Sequence, residues 1–190
     1  DCHGAVTSIH AGTSAENLVK SHERLACQTC HIPTFARKVA TYVDWRWSLA
    51  GFTPPTGSTE THPTGCAKTP TGVGADGVQQ RSTYAKQKGC FTWATNVRPT
   101  LRYYDGKWNR VIVGINNKYT TTPVDLGSPS ATYRDAEAMI YPFKKMTGNQ
   151  VADTGSKTMV VPHLYGTAAG PNAYWSKFDW SGALADGSTY

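Results

Sequence analysis

The sequence predicts a loop-rich, irregular chain with a helical segment near its N-terminus and one small β-hairpin. Eighteen glycines and 11 prolines among 190 residues interrupt most regular patterns. A capping-box pattern opens the helix at Thr13, and an Asp-Gly pair between aromatic and β-branched residues indicates the hairpin. Because 11% of the residues are aromatic, the chain is expected to fold rather than to remain a solvated coil.

The predicted helix begins with Thr13 as its N-cap and Glu16 as its third helical residue. It is expected to continue as one helix through residues 27–31. Pro33 disfavours a helical conformation of the residue before it, so the helix should end at Ile32.

The predicted hairpin covers residues 101–113. Tyr, Trp, Val and Ile suit its strands, and Asp105-Gly106 suits a type I′ turn between them. Loops rich in Pro, Gly and Thr are expected at 53–77 and 120–130.

Residues 27–31 read Cys-Gln-Thr-Cys-His, the C-x-x-C-H pattern of covalent haem attachment. Two thiols on one helical turn can each form a thioether with one haem vinyl group, and the adjacent histidine then reaches the iron. Redox and zinc sites also use C-x-x-C. No second Cys/His pair stands at zinc spacing, however, and Ile32-Pro33 does not suit a thioredoxin-like context. The motif predicts haem c bound through Cys27 and Cys30, with His31 as proximal ligand.

The first three residues, Asp1-Cys2-His3, match the end of a second such motif. This predicts a second haem c, attached through Cys2 and a cysteine preceding residue 1, with His3 as its ligand. A chance Cys-His pair is the alternative. The predicted organisation is a haem-binding segment at 1–33 and a haem-free, loop-rich segment at 34–190 that packs on the haems, within a longer protein.

Two cysteines, Cys66 and Cys90, are left over by the motifs. Haem is attached to cysteine outside the cytoplasm, where disulfides also persist. The two residues either form a bridge, remain free thiols, or place one thiol near a reactive haem. The expected location is extracytoplasmic, either periplasmic or extracellular.

The six histidines stand at positions 3, 10, 22, 31, 62 and 163. Two haems with two axial histidines each would use four of them. Leu18, His22 and Leu25 recur at i, i+4 and i+7, so that an imidazole lies in an apolar helical stripe close to the motif. This pattern favours His22 as a distal iron ligand over an ordinary core histidine.

His10 and His163 are further candidates for iron ligands. His10 follows His3 by seven residues, within reach of neighbouring haems. His163 ends a strand-like apolar run beside Pro162, where a buried structural role is the alternative. His62 lies in a Thr/Pro/Gly-rich loop and is interpreted as a bystander.

The chain carries a formal charge of +6 and a pI of about 9.1. Its basic residues are dispersed, with Arg37-Lys38 and Lys144-Lys145 as the densest groups. This pattern does not indicate a nucleic-acid-binding surface, although it suits an anionic cofactor. Apolar runs such as Val111–Val113 are far shorter than the roughly 20 residues of a membrane span.

Several blocks of the sequence resemble the octahaem tetrathionate reductase family of c-type cytochromes, in the order found there. These blocks are 24–37, 44–48, 88–93, 96–99, 140–144, 161–166 and 174–180. The resemblance implies a multihaem cytochrome c, mainly α and irregular, loop-rich and with only a small β-hairpin element. It also implies closely packed haems that pass single electrons, and an interior position for this segment.

The family has an active-site haem on which lysine replaces the distal histidine, and Lys88 is the matching position. Such a lysine must be neutral, which requires burial beside the iron to lower its pKa. An ordinary solvated lysine is the alternative. Ala85 and Cys90 stand where polar or acidic groups would be expected.

Three functions follow as hypotheses. The first is an electron carrier with other haem-bearing polypeptide around it, serving redox partner proteins or an extracellular acceptor, in a homo-oligomer or filament. The second is a reductase of a small sulfur or nitrogen oxyanion at a Lys-ligated haem. The third is a secreted, β-rich binding module with one structural haem.

Overall fold

The computed structural model describes residues 10–66, 70–73, 79–166 and 172–188. The chain forms two compact units whose segments interleave along the sequence. The first unit combines Asp1–Pro33, Arg98–Asn109 and Gly127–Lys144, and the second combines Thr34–Val97, Arg110–Leu126 and Lys145–Tyr190. The division into 1–33 and 34–190 stays a prediction.

Helices in the described residues are short. They are α1 (Glu16–Ser21), α2 (Cys27–His31), α3 (Tyr174–Lys177) and α4 (Trp180–Gly187), with a 3-10 helix at Trp47–Leu49. No helix in this part of the chain has the length and apolar character needed to cross a membrane.

Strands account for more of the structure than helices. They are β1 (Thr41–Arg46), β2 (Pro70–Val73), β3 (Gln79–Ala85), β4 (Gly89–Ala94), β5 (Thr100–Tyr104), β6 (Trp108–Arg110), β7 (Gly127–Pro129), β8 (Met139–Phe143), β9 (Thr147–Asn149), β10 (Ala152–Asp153) and β11 (Thr158–Met159).

The expectation of a mainly α fold is wrong. Helices form 16% and strands 28% of the structure. The physical reason lies in the local sequence, because runs such as 41–46 and 89–94 are rich in aromatic and β-branched residues that favour strands. Glycine and proline between these runs keep the helices short.

A five-stranded sheet in the order β2-β3-β4-β1-β9 forms the scaffold of the second unit. Its pairs are antiparallel except for β1 and β9, which run parallel. Strands β3 and β4 pair without a break from Gln80↔Ala94 to Ala85↔Gly89. The tight turn at 86–88 joins these two strands.

The core of the second unit is built largely from aromatic rings. Trp180 stacks on the fully buried Tyr174 with 4.0 Å between ring centroids. Trp47 and Trp180 pack edge to face with 5.2 Å between ring centroids, and Trp45 stacks on Trp47 at the same distance. These tryptophans therefore pack against one another and against Tyr174.

A disulfide joins Cys66 to Cys90 of β4 and closes a sequence separation of 24 residues. Both cysteines are buried. Of the alternatives that the sequence leaves open for this pair, the structure shows the bridge.

The predicted hairpin at 101–113 is wrong, although both of its strand segments exist. Strand β5 pairs with β8, from Thr100↔Phe143 to Tyr104↔Met139, and β6 pairs with β7. Gly106 has a φ of 91°, but Asp105 is not among the residues with positive φ, so the turn is not type I′. Rings of β8 that are distant in sequence pack on Tyr104 at 5.4–5.7 Å and outweigh the local pairing.

Candidate haem-attachment site

The C-x-x-C-H motif lies on α2, which is separate from α1. The continuous helix predicted from the sequence is wrong, because the link at 22–26 pairs with β8 instead of continuing the helix. The Ala26 amide donates to the Ile140 carbonyl at 3.0 Å, and the Ile140 amide donates to the Arg24 carbonyl at 2.6 Å. Helix α2 ends at His31 with Ile32 as its C-cap, so the predicted end is confirmed.

Helix α1 is capped differently from the prediction. Its N-cap is Ala15, and the Thr13 hydroxyl donates to the His10 carbonyl at 2.7 Å instead. The Glu16 carboxylate accepts from Lys20 and from the Gly12 amide. These two hydrogen bonds, of which the one from Lys20 has the larger effect, lower the pKa of Glu16 below its ordinary value.

A cavity of about 540 Å³ lies in the first unit against α1, the link, α2 and β8. This volume is in the range of small-molecule and cofactor sites. Two cysteines and three histidines line it, namely Cys27, Cys30, His10, His22 and His31, together with the charged residues Lys20 and Glu23. Much of the remaining wall is apolar and consists of Leu18, Val19, Leu25, Ala26 and Met139.

The side chains at the cavity fit haem c. Cys27 and Cys30 are unbridged and exposed, as thioether formation requires. The ring of His10 lies 6.1 Å from the ring of His31. Nδ1 of His22 lies 3.0 Å from the Leu18 carbonyl, and a metal-ligating imidazole is usually oriented through its other nitrogen in this way.

The structure thus brings together five of the residues predicted from the sequence at one cavity. Cys2 and His3 lie outside the described residues. His163 and Lys88 belong to the second unit. Among the described residues, no group of three or more His, Cys, Asp and Glu side chains is arranged to hold a bare metal ion.

His163 is buried between the chain segment around it and α4. Its Nε2 lies 3.1 Å from the Tyr165 carbonyl, and its Nδ1 lies 3.4 Å from the Asp186 carboxylate. Hydrogen bonds from Asn172 and from His163 lower the pKa of Asp186 below its ordinary value. Both ring nitrogens therefore have protein partners, and the ligand role of His163 stays a prediction.

Lys88 lies exposed in the turn between β3 and β4. Each backbone carbonyl of this turn accepts a different hydrogen bond. The Lys86 carbonyl accepts from the Gly51 amide at 2.7 Å, and the Gln87 carbonyl from the Trp175 indole at 3.0 Å. The Lys88 carbonyl accepts from the Trp45 indole at 2.6 Å. Hydrogen bonds to its three carbonyls thus hold the backbone of the turn, while the Lys88 side chain is exposed to solvent.

Sequence reasoning missed the residues that hold the motif in place. The Arg24 guanidinium donates to the carbonyls of Ala138 (3.0 Å), Tyr133 (2.6 Å) and Asp135 (2.6 Å). It also lies 4.8 Å over the Tyr103 ring. Arg24 could have been noted for its closeness to the motif, but nothing in the local sequence indicates its partners more than 100 residues away.

Comparisons with known proteins match this chain to cytochromes c. A family model described as bacterial cytochrome c matches residues 42–190. A crystal structure of octahaem cytochrome c from Shewanella oneidensis is 35% identical, with a TM-score of 0.68, and the match covers 93% of this chain and 36% of that chain. No curated protein is detectably similar.

The motif and the matched fold define a c-type cytochrome, a class that carries electrons on covalently bound haem. The chain belongs to the bacterial cytochrome c family, and its likeness to the Shewanella structure shows a multihaem cytochrome of the octahaem family. The family resemblance found in the sequence is confirmed. The chain spans about a third of the length of the matched octahaem protein.

Proposed function

We propose that this chain transfers electrons through a haem c attached to Cys27 and Cys30, with His31 as an axial ligand, in an extracytoplasmic compartment. The observation that carries the proposal is the cavity in which two free thiols and three imidazoles meet an apolar wall. Haem iron supplies reversible one-electron chemistry when it is bound.

The residues of the cavity have distinct roles in this proposal. Cys27 and Cys30 would hold the cofactor, and His31 would ligate its iron from the same helix. His22 and His10 are the candidates for a second iron ligand. The apolar side chains of the wall would pack against the porphyrin, and the polarity around a haem is one of the levers that set its reduction potential.

Intact mass and absorbance of the purified chain test the attachment. The wild type is expected to carry covalent haem, and Cys27→Ala/Cys30→Ala should lose one haem mass and its share of the Soret band. Gln28→Ala, which changes an exposed residue inside the same motif, is the matched control. An unchanged haem mass in the double variant contradicts the proposal.

A second haem, bound through Cys2 and a cysteine before residue 1 with His3 as ligand, belongs to the same proposal. The matched solved protein is an octahaem cytochrome, which supports more than one haem in this family. Mass analysis of a chain that includes the preceding cysteine should show two haems, and Cys2→Ala should reduce their number by one.

The distal ligand is tested by the spin state of the iron. His22→Ala should convert a low-spin ferric spectrum into a high-spin one if His22 occupies the sixth position. His10→Ala is the matched variant on the same cavity, and His62→Ala, which changes a histidine of the second unit, is the control. A spectrum that responds to His10→Ala alone assigns the position to His10 and excludes His22.

Reduction of a small sulfur or nitrogen oxyanion at a Lys-ligated haem is the alternative function, taken from the family resemblance. Three hydrogen-bond donors fix the backbone of the turn that carries Lys88. The Lys88 side chain is exposed, so this role requires a haem that buries it. Lys88→Ala should abolish turnover and alter the spectrum of one haem. Lys86→Ala, whose ammonium lies 4.6 Å over the Phe178 ring, is the control. All-low-spin bis-His haems without turnover exclude the reductase.

Redox partner proteins or an extracellular acceptor, together with assembly into a homo-oligomer or filament, complete the proposal. Aliphatic side chains on the 111–117 loop support an assembly, since Ile112, Val113 and Ile115 are exposed. Sedimentation of the wild type against Ile115→Ser tests the assembly. A monomer at all concentrations contradicts it.

A further inference from the structure

We infer that Thr29, inside the C-x-x-C-H motif, is a positioning residue that sets the direction in which Cys27 and Cys30 face, acting through the carbonyl of Ile140 on β8. This inference rests on the proposed attachment of haem to these two cysteines. It concerns how the chain presents its thiols, whichever histidine completes the site.

The contact that carries the inference is a pair of hydrogen bonds on one carbonyl. The Ile140 oxygen accepts from the Thr29 hydroxyl at 2.6 Å and from the Ala26 amide at 3.0 Å. A carbonyl oxygen has two lone pairs, so both of its acceptor positions are used. Thr29 and Ile140 are separated by 111 residues in the sequence.

The geometry of a helix explains why this anchor controls the thiols. Successive residues turn by about 100°, so Cys27 and Cys30 lie about 60° apart on one face, whereas Thr29 lies about 160° from Cys27. A bond at Thr29 therefore fixes the rotation of α2 about its axis from the side opposite Cys27. With that rotation, both cysteines line the cavity.

Helix α2 cannot set this orientation without its neighbours. It has five residues, far fewer than an isolated helix needs for stability in water. Its N-cap, Ala26, supplies no side-chain cap. The helix is therefore held by what it docks against, and β8 provides this support through Ile140 and its neighbour Met139, which lines the cavity.

Arg24 supports the same docking from the link before α2. Its three hydrogen bonds reach carbonyls of residues 133–138, the segment that leads into β8. Arg24 donates to several carbonyls at once and also lies over the Tyr103 ring. A planar guanidinium can make both kinds of contact, whereas the ammonium of a lysine cannot. Arg24 thus fixes the approach of β8, and Thr29 fixes the rotation of α2 on it.

The experiment compares three variants of the full chain, expressed with haem-attachment machinery. Thr29→Val keeps the shape of the side chain and removes the hydroxyl, Thr29→Ser keeps the hydroxyl, and Gln28→Ala changes the exposed neighbour. We expect Thr29→Val to lower the ratio of doubly attached to singly attached haem at this motif about fivefold, the effect of one lost hydrogen bond. Thr29→Ser and Gln28→Ala should match the wild type.

Two readouts separate orientation from general folding. Peptide mass analysis gives the number of thioether bonds at Cys27 and Cys30, and the reduced α-band reports whether one or two vinyl groups have reacted. Thr29→Val should accumulate singly attached haem, and Thr29→Ser should restore the doubly attached form. A folding defect alone would lower total yield without a singly attached product.

Full double attachment in Thr29→Val overturns the inference and leaves the proposed attachment standing. An equal defect in Thr29→Ser and Thr29→Val also overturns it, because the hydroxyl is then not the cause. A wild type without haem at Cys27 and Cys30 overturns both. If Thr29→Val does not fold, Thr29→Ala against Thr29→Ser gives the same comparison, since Thr29→Ala also removes the hydroxyl that bonds to Ile140.

Discussion

At Gly89 the backbone adopts a φ of 83°, and a Cβ atom there would lie 2.3 Å from the Arg46 carbonyl oxygen. Only glycine combines this conformation with so close an approach. The position ends the turn that carries Lys88 and starts β4, so one small residue decides where that turn meets β1.

Gly89→Ala should therefore destabilise the chain by about 2–4 kcal/mol, from the left-handed conformation and from the contact that the backbone cannot relieve. Urea unfolding of the holoprotein measures the change. Gly57→Ala is the control, because Gly57 has a φ of 81° with no atom within 4 Å of its Cβ position. If Gly89→Ala destabilises the chain no more than Gly57→Ala does, the close approach to the Arg46 carbonyl does not contribute to the effect.

Residues that carry chemistry were found from the sequence, whereas those that place them were not. Cys27, Cys30 and His31 lie within five consecutive residues, and the covalent chemistry of haem fixes their spacing. Arg24 and Thr29 have roles that depend on carbonyls more than 100 residues away. No local pattern shows which carbonyls a side chain will meet.

Among the elements, α4 is the clearest case of a short helix held by a polar network. Asp179 caps its N-terminus by accepting from the amides of Ser181 and Gly182. Near its C-terminal end, Asp186 accepts from Asn172 and approaches His163. These contacts stabilise the carboxylate form of Asp186, which is why its pKa is lowered.

Acid should therefore weaken this part of the second unit. A lowered folded pKa means that the stabilisation is complete above the ordinary carboxyl value near 4 and is lost as pH falls through the folded pKa. Asp186→Asn should show a smaller rise in unfolding free energy with pH in this acidic window. Chemical denaturation from pH 2 to 6 measures it, with Glu60→Gln as control. Identical slopes in wild type and Asp186→Asn would contradict the prediction.

The strands at 100–104 and 108–110 show how tertiary contacts decide pairing. Propensity correctly indicated extended structure in both segments. Their partners are β8 and β7 instead of each other, because the ring cluster of Tyr104, Tyr141 and Phe143 forms only when β5 lies beside β8. A prediction from sequence favours the partner nearest along the chain, because closing the shortest loop costs the least entropy.

For the whole molecule, the Cys66–Cys90 bridge is the main covalent constraint within the second unit as described. Closing a loop of this length is worth about 3 kcal/mol through the entropy of the unfolded chain. Cys66→Ala/Cys90→Ala should lose about that much in urea unfolding. The oxidised wild type treated with denaturant alone is the reference, and an unchanged unfolding midpoint would show that the bridge adds no stability.

The sequence alone indicated the cofactor chemistry and the family, because five consecutive residues form the haem-attachment motif and the order of the blocks that resemble the family can be read along the chain. It did not determine the balance of strand and helix, the break between α1 and α2, or the exchange of hairpin partners. Those features were decided by the tertiary structure, because hydrogen-bonding groups pair with whichever segment packing brings beside them. The Ala26 amide and the Thr29 hydroxyl, for example, both bond to the carbonyl of Ile140, which lies more than 100 residues further along the chain.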